Sequence, residues 1–178
     1  MRGLRQAFLG ALLIGALMTF GDWVWALFIT KHRTIFGLVH GLALCGGIGL
    51  FLGAPRHQPA RGAVAGAAIG LAAAGGFYLL APLLRWAAMF PMWMAFWAAF
   101  GVLQWRFLGE PQAPMREALV RGLLAALGSG LAFYAISGIW TRPNPGGPEY
   151  ATNFASWTFA FLPGFLALLL EKRALSRS

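Results

Sequence analysis

The chain has 178 residues, of which 59% are hydrophobic and 11% charged, with a mean hydropathy of +0.67. Soluble domains run near half apolar and a quarter charged, so this balance excludes an ordinary water-soluble domain. The formal net charge of +9 comes without any basic polar domain, so it reads as membrane topology and attraction to anionic head groups, and no nucleic-acid partner is implied.

A helix needs about 20 apolar residues to cross a hydrocarbon core roughly 30 Å thick. Six blocks approach that length: 7–29, 35–54, 63–84, 86–108, 118–140 and 154–170, the last short enough that its start is expected near Ala151. The first opens as Met1-Arg2-Gly3-Leu4-Arg5, like a signal peptide. No small-x-small cleavage pattern precedes Asp22, however, and the apolar run continues to Ile29, so a retained helix is expected. The expected fold is therefore an all-α bundle of six transmembrane helices, one polytopic membrane domain over residues 1–178.

Lysine and arginine are retained on the cytoplasmic side of a membrane. With six crossings, one side receives ten of the 14 basic residues, in both terminal segments and in the second and fourth loops; the other receives Lys31, Arg33, Arg85 and Arg142. Both termini are thus expected to be cytoplasmic, in an inner or plasma membrane. A single cysteine, Cys45, leaves no internal disulfide and no cysteine-based metal cluster.

Small residues recur every fourth position in the second block (Gly37, Gly41, Cys45, Gly49, Gly53), the third (Gly62, Gly66, Gly70, Ala74) and the fifth (Gly122, Ala126, Gly130). Residues four apart share a helix face, so each column is a groove that admits a neighbouring backbone. The expectation is that these three helices form the tight interior, while the fourth and sixth, rich in Trp and Phe, fill gaps or face lipid. Phe51-Leu52-Gly53-Ala54-Pro55 and Phe107-Leu108-Gly109-Glu110-Pro111, together with Arg-Gly at 2, 61 and 121, suggest a repeat of three helical hairpins of about 60 residues. Arginine at a cytoplasmic helix start and Gly-Pro at a helix end would also produce this pattern without duplication.

Two ionisable residues stand inside apolar blocks. Asp22 and His40 each lie nine residues from Lys31 in the first turn, so two antiparallel helices would bring them to similar depth, roughly 8–10 Å below the helix ends. A charge at that depth costs a few kcal/mol unless it is paired or faces water. An Asp22–His40 pair is the expectation, against the plainer readings that Asp22 reaches interfacial water and that His40 is a neutral histidine bonded to a backbone carbonyl. Lys31, His32, Arg33, Arg85, Trp86, Arg142 and Asn153 fall on the same outer side. Together they suggest a basic, aromatic-edged pocket suited to an anionic or lipid-like group, since arginine offers a planar donor fork. An aromatic belt formed by Trp23, Trp25, Trp86, Trp140 and Trp157, with arginines anchoring helix ends, accounts for the same residues more simply. Residues 142–149, Arg-Pro-Asn-Pro-Gly-Gly-Pro-Glu, read as a proline-stiffened linker or a lid.

Bis-histidine haem, phosphate-loop and nucleophile-elbow chemistries lack their residues here; Asp22, His32 and His40 could in principle supply three zinc ligands, but His32 lies in the turn above the other two, and no cofactor is implied. Three functions are left. The first is a carrier or binding protein for a small anionic or lipid-like molecule, with a pocket of Asp22, His32, Arg33, His40, Arg85, Trp86, Arg142 and Asn153. The second is a non-catalytic subunit or assembly factor that docks a partner membrane subunit on its small-residue faces. The third is a membrane enzyme acting on a lipid-linked substrate through an Asp-His pair.

Overall fold

The computed structural model describes residues 2–28, 32–108, 114–140 and 149–170. Among them are six α-helices and no strand: α1 (Arg2–Phe28), α2 (Arg33–Gly53), α3 (Pro59–Leu84), α4 (Met89–Phe107), α5 (Met115–Trp140) and α6 (Tyr150–Leu169). Five stretches are long and apolar enough to cross a membrane: Gly3–Val24, Arg33–Arg56, Pro59–Phe107, Met115–Ile136 and Tyr150–Leu169. The 49-residue stretch among them contains both α3 and α4, joined by a 3-10 turn over Arg85–Ala88.

Several helices begin earlier than the apolar blocks, because polar first turns remain helical where they leave the apolar zone. α3 starts at Pro59, whose fixed φ and missing N–H suit a first helical position. α4 starts later than expected because Trp86 to Ala88 tighten into the 3-10 turn. The break falls on Arg85, a non-glycine residue at φ 53° and ψ −135°, a backbone state that costs about 1–3 kcal/mol and ends α3 outright.

Neighbouring helices run antiparallel. Gly21 meets His40 and Gly47 meets Ile14 across α1 and α2; Gly41 meets Gly70 and Gly53 meets Gln58 across α2 and α3. Gly76 faces Met92 across α3 and α4, Gly101 faces Gly122 across α4 and α5, and Gly3 lies on Leu169 across α1 and α6. With α5 also packed on α6, the helices close a ring in chain order, and α1 against α2 is its slimmest contact. The closest pairings, α2 with α3, α1 with α6 and α4 with α5, join helices from different sequence hairpins.

The small-residue columns do what their spacing suggests, but not where the interior was expected. On α2 and α3, a Cβ at Gly49 would strike the Gly62 carbonyl, and one at Gly66 would strike that of Cys45. The α5 column seats on α4, where a Cβ on Gly101 would come within 2.6 Å of the Gly122 Cα. Yet α3 buries only Gly62, Gly66 and Gly70 and is a peripheral wall. The centre belongs to α4 and α6: Trp93, Phe96, Trp97 and Phe100 interlock with Trp157, Phe161 and Phe165. Close backbone approach needs small residues, but a volume between several helices is filled only by large ones.

Candidate functional site

Toward the start of α4, the end of α5 and the start of α6, the bundle is held by stacked rings. Trp93 lies on Phe133 with centroids 4.3 Å apart and planes 14° from parallel, and Trp157 stacks beside both at 6.1 and 6.0 Å. A polar relay runs through this stack: Trp93 Nε1 donates to Ser129 Oγ at 2.9 Å, and Ser129 Oγ donates to the Ala160 carbonyl at 2.6 Å. All three helices are thereby tied at one level, and the orientation of the Trp157 indole is fixed.

That orientation serves Asp22. Trp157 Nε1 donates to Asp22 Oδ2 at 2.7 Å, and Asn153 Nδ2 donates to the same oxygen at 3.4 Å. Residues 153 and 157 are four apart on α6, so both donors project from one face toward α1. Both bonds go to Oδ2, so Asp22 Oδ1 has no partner among the described residues.

The expected Asp22–His40 pair is therefore corrected. The carboxylate is satisfied by α6, and His40 packs instead against Gly21, where an added Cβ would sit 2.5 Å from its Cε1. His40 makes no hydrogen bond among the described residues. Matching depth along two helices is not enough to pair them, because the helical rotation that turns Asp22 toward α6 turns it away from α2.

Asp22 and His40 nevertheless share a cavity of about 520 Å³ between α1, α2, α3, α4 and α6. The middle of its α2–α3 wall is formed by small residues, Gly37, Gly41, Gly70, Ala73 and Ala74, with Phe77 and Tyr78 following on α3. The opposite wall is aromatic and thioether: Trp86, Trp93, Phe96 and Trp157, with Met18, Met89 and Met92. Methionine adapts its shape to what it touches. Along α2 the lining runs from Arg33 to Cys45, about 18 Å at 1.5 Å per residue. Arg33 and Tyr78 stand at one end, where the Tyr78 hydroxyl donates to the Arg33 carbonyl at 2.8 Å and Gly37 makes room for its ring. Asp22 and His40 follow at mid-depth, while Leu44, Cys45 and Phe96 form an apolar floor.

Of the pocket residues expected from sequence, the structure brings Asp22, Arg33, His40 and Trp86 to this cavity, with Asn153 one hydrogen bond behind it. Arg85 is exposed at the α3–α4 turn and does not line it, and His32 is exposed at the start of α2. Arg142 and Lys31 lie outside the described residues. Trp157 and Tyr78 were missed as site residues. An indole four residues after an asparagine amide on the same helix was the available signal for Trp157; Tyr78 had none, since its contact with Arg33 spans 45 residues. Among the described residues no three His, Cys, Asp or Glu side chains converge as metal ligands. Compared with known protein families, curated proteins and solved structures, the chain matches none of them.

Proposed function

We propose that the protein crosses the cytoplasmic membrane six times, with both termini in the cytoplasm, and binds or carries a lipid-like molecule in the cavity beside Asp22. The six-crossing reading rests on the break at Arg85. A continuous helix of 49 residues would be about 74 Å long, more than twice the roughly 30 Å core, whereas α3 and α4 fold back on one another. The excess of basic residues on the side of the termini supports the orientation.

One observation carries the functional reading: the cavity grades from Arg33 and Tyr78, through Asp22 and His40, to a floor of Leu44, Cys45 and Phe96. Ligand sites of this kind are mostly apolar, with a few placed polar groups that fix orientation. An elongated apolar space with polar groups at one end is the complement of an amphiphile. Asp22 Oδ1, without a partner among the described residues, adds chemistry, because an ionised carboxylate only accepts hydrogen bonds. The head group it suits is therefore a donor, a hydroxyl or an amine, with Arg33 at the mouth available to a more distal anionic group.

The test is native mass spectrometry of protein purified in mild detergent, with any bound molecule identified after release. An Asp22→Asn variant keeps an acceptor oxygen for Trp157 while removing the charge, so it is expected to fold and to lose most of the bound amphiphile. A ligand-free wild-type mass, or equal retention in both proteins, would sink this reading; a stable mass with a second protein would favour the subunit role instead.

A further inference from the structure

A second, smaller cavity of about 200 Å³ lies in the seam between α1 and α2. It shares three walls with the main cavity, Met18, His40 and Leu44, and its other lining residues are apolar. Phe20 is 58% exposed and Val39 56% exposed on its outer side, so in a membrane the groove opens to lipid chains. It follows α1 from Leu17 to Val24, about 10 Å of helix.

This seam is also where the ring of helices is held most weakly. At the level of Asp22 the helices meet through the His40 imidazole seated on Gly21, and that imidazole has no hydrogen-bond partner among the described residues. A ring held by packing, with no hydrogen bond to the described residues, turns about its side-chain bonds without breaking a bond to protein, whereas the relay through Ser129 fixes the opposite side of the bundle.

We infer that the α1–α2 seam is the lateral entrance of the site: a groove for one alkyl chain of the ligand, with His40 as the movable partition between groove and cavity. The inference rests on the lipid-like reading given above and adds where the chain lies and how it enters. The head group sits against Asp22, the apolar body lies in the cavity toward its floor and one alkyl chain passes His40 into the seam, so the molecule never leaves the apolar phase as it loads. A ligand arriving from water would instead use the outer mouth at Arg33.

The experiment uses hexadecanol analogues carrying a diazirine either next to the hydroxyl or at the chain end, incorporated into phosphatidylcholine–phosphatidylglycerol vesicles with the full-length protein. After irradiation, adducts are mapped by peptide mass spectrometry. The head-labelled probe is expected on Met89 and Met92, and the tail-labelled probe on Phe20 to Val24 and Val39 to Ala43. Ala43→Trp, which fills the groove, should cut head-probe labelling of Met89 and Met92 about tenfold; Leu79→Trp, on a residue 79% exposed on the far face of α3, should leave it unchanged. The two positions of the diazirine are compared in the wild-type protein, so the result does not depend on the folding of a variant. Cavity labelling by the head probe with no tail adducts in the seam, or seam adducts no stronger than those on Leu79 and Leu83, would overturn the lateral entrance and leave the cavity reading standing. Absence of head-probe adducts in the wild-type cavity would overturn both.

Discussion

Replacing Gly49 with alanine tests whether the α2–α3 wall depends on backbone contact. The new Cβ would fall into the Gly62 carbonyl, 2.8 Å from its carbon and 3.0 Å from the Gly66 Cα. None of these atoms belongs to a side chain that can swing aside, so the two helices must separate. Overpacking of this kind costs about 1–3 kcal/mol, and collision with backbone places it toward the upper end. Alanine recovers about 1 kcal/mol of helix propensity relative to glycine, leaving a net loss of about 1–2 kcal/mol. For a chain of this size that corresponds to a fall in Tm of about 2–8 °C. Gly75 is the internal control, because nothing lies within 4 Å of its would-be Cβ. Gly75→Ala keeps the propensity gain and should raise Tm by about 2–4 °C. Both are read by thermal unfolding in one detergent, followed by tryptophan fluorescence. Shifts of the same sign at the two positions would refute the argument that close approach, rather than glycine content as such, organises this wall.

Two further outcomes follow from the packing. Ser129→Ala removes the acceptor of the buried Trp93 indole and the donor to the Ala160 carbonyl, so it should lower stability by about 1–3 kcal/mol, measured in the same unfolding experiment; an unchanged Tm would mean the relay is not a tie. Cys45 is 2% exposed, with its backbone against Gly66, so a maleimide should label it slowly in folded protein and quickly after denaturation. Rapid labelling of the folded protein would show that the floor of the cavity is open to reagent.

The helices long and apolar enough to cross a membrane were legible because hydrophobic length reports them directly, and the close-approach grooves on α2 and α3 were legible because a four-residue column of glycine has few other uses, but not that these two grooves face each other. The centre of the bundle was not. Trp93, Trp97 and Phe161 look the same in sequence whether a helix faces lipid or other helices, since lipid is as apolar as a protein core. Only the geometry shows that Trp97 is fully buried and seated against Gly164. The site was half legible. Asp22 stands out because its cost in an apolar helix demands a partner, but the partner lies 135 residues away on α6. His40 was nearer in sequence and at the right depth, and rotation about the helix axis decided against it. Arg85 was assigned to the pocket from its side of the membrane alone, a criterion too coarse to separate a lining residue from an exposed turn.

Between Gly62 and Trp105 the chain carries one charged residue, Arg85, and it stands at the turn between α3 and α4. In the six-crossing arrangement this bears on biogenesis. No polar loop is available to hold α3 across the bilayer while α4 is still being synthesised, so the two helices are expected to enter as one hairpin. The single guanidinium is then the only side-chain charge that this hairpin carries to the far side, and the left-handed backbone at Arg85 is what lets the pair fold back before it is released into lipid.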